Sequence, residues 1–128
     1  MEWKIELEAD GQVLRVTTNG FFRLREQERM FEELAVHAAF SPGMPVLFDN
    51  RVLDLSGSDA ETMRQSVEIV QRFLRAQRVE RLAGLVGAGV NFGVGRQFQL
   101  LTEVTGGHGF CLFKDEDLAL RWLHGEPA

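Results

Sequence analysis

The sequence predicts an α/β fold: one domain built on a mostly parallel sheet, opened by an antiparallel hairpin and covered by helices. Two observations carry that expectation. From residue 46 onward the short apolar runs Val46 to Asp49, Leu82 to Val86 and Phe110 to Phe113 alternate with longer stretches of helical period, a β-α-β-α-β-α series. Ahead of it, two segments that favour strands flank Asp10-Gly11, the dipeptide of a tight hairpin turn.

The elements follow in order. Trp3, Ile5 and Leu7 alternate with Lys4, Glu6 and Glu8, as in a strand with one buried and one wet face. Val13 to Thr17 returns as its partner, and Asn19-Gly20 is expected to end it. From Leu24, residues Phe31, Leu34, Ala35 and Ala38 recur at helical spacing, with Arg25, Glu28, Arg29 and Glu32 on the opposite side. Ser41-Pro42-Gly43-Met44-Pro45 breaks that helix, and Val46-Leu47-Phe48 is short and apolar enough for a central strand ending at Asp49. Asn50 to Ser58 reads as a long loop. Ser58 and Glu61 have capping-box spacing, so a helix is expected to begin just after Ser58. Met63, Val67, Val70 and Leu74 form its apolar row, widened by Ile69 and Phe73, and it should end near Arg78. The amphipathic stretch Phe92 to Val104 and the segment from Asp115 to Leu123 supply the last two helices.

Composition narrows the function classes. With 128 residues, 45% of them hydrophobic and 26% charged, the chain can bury a full core without disulfides or a structural metal. Its formal charge of −5 argues against gripping nucleic-acid phosphates, which requires clustered Lys and Arg to release counterions. Cys111 is alone, so a reducing cytoplasm is the expected location. No export signal or apolar run of membrane-spanning length is visible. No internal repeat or linker divides the chain.

Several residues invite a chemical reading. The stretch from Gly84 to Gly95 lies between strand and helix, where backbone N–H groups could cradle an anion, and Arg96 could reach one there. Its glycine spacing nevertheless misses the dinucleotide fingerprint, and the Lys and Ser/Thr of a P-loop are missing, so a structural turn is the favoured reading. His37, His108 and His124 are scattered, and His108 and Cys111 stand an odd number of residues apart, so no metal or other cofactor is expected. Cys111, between Phe110 and Leu112, reads as a small buried residue. Asp49 and Asp54 could form an acid-base pair, but no nucleophile, base and orienting group occur in a recognisable set. Arg64, Arg72, Arg75, Arg78 and Arg81 make one helix and its exit basic; dipole capping and solvation account for the row, with an anionic partner or lipid surface as the alternative.

A resemblance runs almost end to end. The N-terminal hairpin, Pro42 through Arg51, the Leu82 to Val86 strand, Gly95-Arg96-Gln97-Phe98, and Leu112-Phe113-Lys114-Asp115 leading to Leu120-Arg121-Trp122-Leu123 are together similar to bacterial SpoIIAA-like proteins, the small STAS/SEC14-like family. The resemblance implies a mixed, mostly parallel sheet with helices packed mainly on one face. In the architecturally similar anti-sigma-factor antagonists a phosphorylated serine lies in an Asp-Ser-Ser-Gly motif; Asp54-Leu55-Ser56-Gly57 matches three of those four positions and makes Ser56 the candidate phospho-switch.

The functional expectation is therefore a non-enzymatic binding or regulatory module. It would meet a protein partner, or a second copy as a homodimer, through a sheet edge or the surface formed by Asp49, Arg51, Asp54, Ser56 and Ser58, with Asp49 and Arg51 organising that segment as an ion pair. The alternative is a small apolar molecule or lipid entering between helix and sheet near Phe73, Phe92 and Phe98, or a peripheral membrane contact. An enzyme of unknown reaction ranks third.

Overall fold

The computed structural model describes residues 1–127. Its elements are β1 (Glu2–Leu7), β2 (Leu14–Phe21), α1 (Leu24–Val36), β3 (Val46–Asp54), α2 (Ala60–Ala76), β4 (Leu82–Leu85), α3 (Val90–Val104), β5 (Phe110–Phe113) and α4 (Glu116–Leu123). The five strands lie in sequence order, with β1 antiparallel to β2 and every later neighbour parallel. Each parallel crossover is a helix, as a parallel sheet requires.

Strand alternation divides the residues between two faces. Leu14, Val46, Leu82 and Phe110 stand in register across β2 to β5 and point toward α1, α2 and α3. Their neighbours Leu47 and Ala83 point the other way, where α4 packs through Ala119 and Leu123. Helices thus cover mainly one face. On the three-helix side Phe31 and Phe73 join α1 to α2 with ring centroids 4.8 Å apart, Phe31 reaches Phe48 of β3 at 5.2 Å, and Phe98 of α3 meets Phe110 of β5 edge-on at 4.8 Å.

The boundaries differ from the sequence expectation at three places. The first hairpin is wider than a two-residue turn: Glu8 N–H donates to the Val13 carbonyl, and Asp10-Gly11 forms only the tip, with Gly11 at φ +72°. The cap of α2 is Asp59, whose carboxylate accepts from Thr62 N–H at 2.8 Å. Asp59 stands next to Ser58, and its side chain takes the N-cap role, leaving Glu61 to pair with Arg64.

The third difference matters most. The expected loop after Asp49 is a continuation of β3 through Asp54, and β2 likewise runs on to Phe21. Two β3 residues, Asn50 and Arg51, stand opposite the single residue Thr18, so the register steps by one at a bulge. A period-2 reading stops at such a point because the alternation is broken there, whereas the backbone ladder resumes with Asn19 opposite Val52.

Glycine at position 84 is a packing requirement. A Cβ there would lie 3.0 Å from two ring carbons of Phe110, which is itself held by Phe98. Gly84→Ala is expected to destabilise the fold by about 1–3 kcal/mol through overpacking, read as a lower urea midpoint at unchanged slope.

Candidate functional site

The three-helix face does not close completely. Between the sheet and α1, α2 and α3 lies a cavity of about 100 Å³, lined by Phe48 and Asn50 of β3, Gly84 of β4, Phe110 and Leu112 of β5, and side chains from all three helices. Two glycines stand on its wall at close contacts. Gly84 presents no side chain from the sheet, and Gly95 brings α3 so close to β5 that a Cβ would meet Leu112 Cδ1 at 2.9 Å. The lining is predominantly apolar, with a polar fringe of Gln27, Asn50, Ser58 and Ser66.

Those polar groups are unequally satisfied. Asn50 Oδ1 accepts from the buried Thr18 hydroxyl at 2.6 Å. Gln27, only 7% exposed, has its carbonyl oxygen Oε1 buried with no hydrogen-bond partner among the described residues. Gln71, the other buried glutamine, shows the ordinary arrangement: its amide N–H donates to the His108 carbonyl at 3.0 Å and its oxygen accepts from His108 N–H.

The opposite face carries an ion-pair network centred on Asp49. Arg15 of β2 donates to Asp49 at 2.9 Å, to Glu8 and to Glu116 of α4 at 2.8 Å. Arg51 grips Asp49 with two bonds of 2.9 and 2.8 Å and also reaches Glu116 at 3.1 Å. Burial alone would raise the Asp49 carboxyl, but the Arg51 hydrogen bonds and the charges of Arg51 and Arg15 outweigh it and hold its pKa below the ordinary value. Both guanidiniums are correspondingly raised, Arg15 by Glu116 and Glu8 against the opposing effect of its burial, and Arg51 by Asp49 foremost. The network fastens α4 to the sheet, and Arg81 adds to this by donating to the Trp122 and Glu126 carbonyls and lying over the Trp122 ring.

The remaining residues singled out in the sequence are dispersed. Asp54 does not meet Asp49; it accepts from Ser56 N–H at 2.9 Å, and the hydrogen bonds of Ser56 lower its pKa. Ser56 is exposed at the turn before α2, while Ser58 borders the cavity. This turn is tied to α3 by Leu55 N–H donating to Asn91 Oδ1 at 2.9 Å. Phe98 lines the cavity; Phe73 is packed in the core against Phe31 and Phe40, and Phe92 lies beneath Lys114. Arg96 is exposed on α3. Burial raises the Cys111 pKa, which keeps its thiol protonated. Among the described residues no three His, Cys, Asp or Glu side chains are grouped to hold a metal, and no helix is long and apolar enough to cross a membrane.

Gln27 escaped the sequence reading although a signal was present. It falls between Leu24 and Phe31 on the stripe that continues to Leu34, so a polar residue occupies the apolar side of α1. Glu8 and Glu116 had no local signal, being brought to Arg15 only by the fold.

This combination of an antiparallel opening hairpin, a parallel remainder and three helices on one face is the SpoIIAA-like, STAS-type fold. A solved structure with that fold is similar along nearly the whole chain: an uncharacterised protein of the DUF3478 family from Shewanella loihica, 21% identical, covering 95% of this chain and 92% of its own, with a TM-score of 0.58. No protein-family description and no curated protein matches the sequence.

Removing the central charge of the network tests its contribution. Asp49→Asn keeps the shape but leaves two guanidiniums short of a carboxylate, and a loss of about 1–3 kcal/mol is expected. Because the folded pKa is depressed, the stabilisation is complete above the unfolded carboxyl value near pH ~3.9 and is lost as pH falls through the folded value. Urea titrations of wild type and D49N should therefore differ at pH 7, and the difference should shrink only as pH drops below the ordinary carboxyl range and through the depressed folded pKa.

Proposed function

We propose that this protein is a non-catalytic STAS-like module that binds a small, largely apolar molecule between its sheet and helices. The observation that carries the reading is the cavity framed by Gly84 and Gly95. An empty apolar void forfeits dispersion contacts on all its walls, which a filling molecule restores. An engineered cavity of about 150 Å³ is enough to take up benzene, so this smaller one suits a single ring or a short chain, provided the walls give slightly.

The ionisable groups support binding over catalysis. Asp49, Arg15, Arg51 and Glu116 are engaged with one another, and the Cys111 thiol is held in its unreactive form.

Native mass spectrometry of the freshly purified protein, followed by denaturing mass spectrometry, provides the test. A non-covalent adduct that is released on denaturation is expected. Ser66→Met and Leu53→Phe, which enlarge two lining side chains, should each reduce its occupancy at least severalfold while the fold persists. Adducts of equal occupancy in both variants would place the molecule elsewhere and defeat the proposal.

A second reading, association with a protein partner or another copy, rests on one exposed pair. Phe21 and Val52 are 64% and 73% exposed. The register, Asn19 opposite Val52 and Phe21 opposite Asp54, sets them diagonally on the sheet face that carries α4. Both edges of the sheet are less inviting: β1 alternates charged residues outward, and on β5 the Leu112 N–H is occupied by Gln99 Oε1 at 2.7 Å. If the pair mediates self-association, sedimentation equilibrium should show a dimer that Phe21→Glu weakens at least tenfold; a wild-type monomer at high protein concentration would eliminate self-association.

A further inference from the structure

The cavity specifies more than an apolar occupant. Gln27 Oε1 is a strong acceptor in a residue that is 7% exposed, and it has no partner among the described residues. Leaving such an atom unsatisfied has a cost comparable to the loss of a hydrogen bond, and polar side chains so buried normally find partners. Gln71 in α2 does so at both ends of its amide. Gln27 lines the cavity, as do Phe48 and Phe110.

Resting on the reading of the cavity as a ligand site, we propose that Gln27 is its specificity-determining residue, and that the ligand class is a small apolar molecule bearing one hydrogen-bond donor, a phenol-like compound or a short alcohol. Its hydroxyl donates to Gln27 Oε1, while the rest of the molecule fills the space that Gly84 and Gly95 border. The other polar atoms of the wall do not compete equally for this role. Asn50 Oδ1 already accepts from Thr18, and the Ser66 and Ser58 hydroxyls can donate as well as accept, so neither demands a donor from the ligand. An acceptor-only oxygen selects for a donor because a purely apolar isostere would bury it without compensation.

Phenol and toluene make a matched pair, differing in a hydroxyl in place of a methyl, and Gln27→Met removes the acceptor with little change of length. Titrations of the intact chain with each probe, followed by 1H–15N NMR, give Kd for wild type and Q27M. The expected result is that the ratio of toluene Kd to phenol Kd falls at least tenfold from wild type to Q27M, with toluene binding retained or strengthened in the variant. The unliganded variant should also melt no lower than wild type, since it no longer buries an unsatisfied oxygen.

The outcomes separate the two proposals. If both probes bind and the ratio is the same in the two proteins, Gln27 does not select the ligand and this inference is overturned, while the cavity reading survives. If neither probe shifts cavity resonances at millimolar concentration, the cavity reading fails and this inference with it. Should Q27M not fold, Gln27→Leu removes the same acceptor and the same ratio decides.

Discussion

The structure depends on β3 serving two unlike faces at once. Phe48 and Asn50 turn toward the three-helix side and the cavity, whereas Leu47 and Asp49 turn toward α4. Strand geometry enforces this division, because consecutive side chains must leave a strand in opposite directions. β3 is also flanked on both sides by parallel partners, so any shift of register would exchange apolar and ionic residues between the faces simultaneously. The bulge opposite Thr18 takes up an extra residue after Asp49 and still returns Leu53 to the cavity wall.

The two faces are closed by different physics. Three helices bury a continuous aromatic and aliphatic core on one side, where Phe31 contacts both Phe48 and Phe73. The short helix α4 has a smaller apolar contact and is held additionally by charges, Glu116 meeting both Arg15 and Arg51. Charge pairing is effective there because Arg15 and Asp49 are largely shielded from solvent and make directed, multiple bonds, unlike the exposed Arg64 pairs on α2. The well-packed core then makes the residual cavity conspicuous, since dense packing elsewhere leaves few voids larger than water.

Much of the candidate site was legible in part. Alternation and helical period located the strands and helices closely enough that β5 and the start of β3 coincide with the apolar runs that announced them. The Asp49–Arg51 pair was foreseeable from two-residue spacing on one segment. The rest of its network was not, because Glu116 lies 101 residues from Arg15 and nothing in either neighbourhood records the meeting. Phe98 lines the space between helix and sheet, while Phe73 and Phe92 have the same composition signal and different surroundings. Aromatic content alone cannot separate a cavity wall from a filled core.

The sequence by itself determined the element order, the α/β class and which residues of each strand share a face, since these follow from local periodicity and turn chemistry. Only the tertiary structure decided that β2 and β3 continue past a bulge, that α4 is ion-paired to the sheet, and that Gly84, Gly95 and Gln27 meet around a cavity. The reason is physical: a void and an unpartnered acceptor are properties of what several distant segments fail to fill between them, and no local pattern encodes an absence shared among segments.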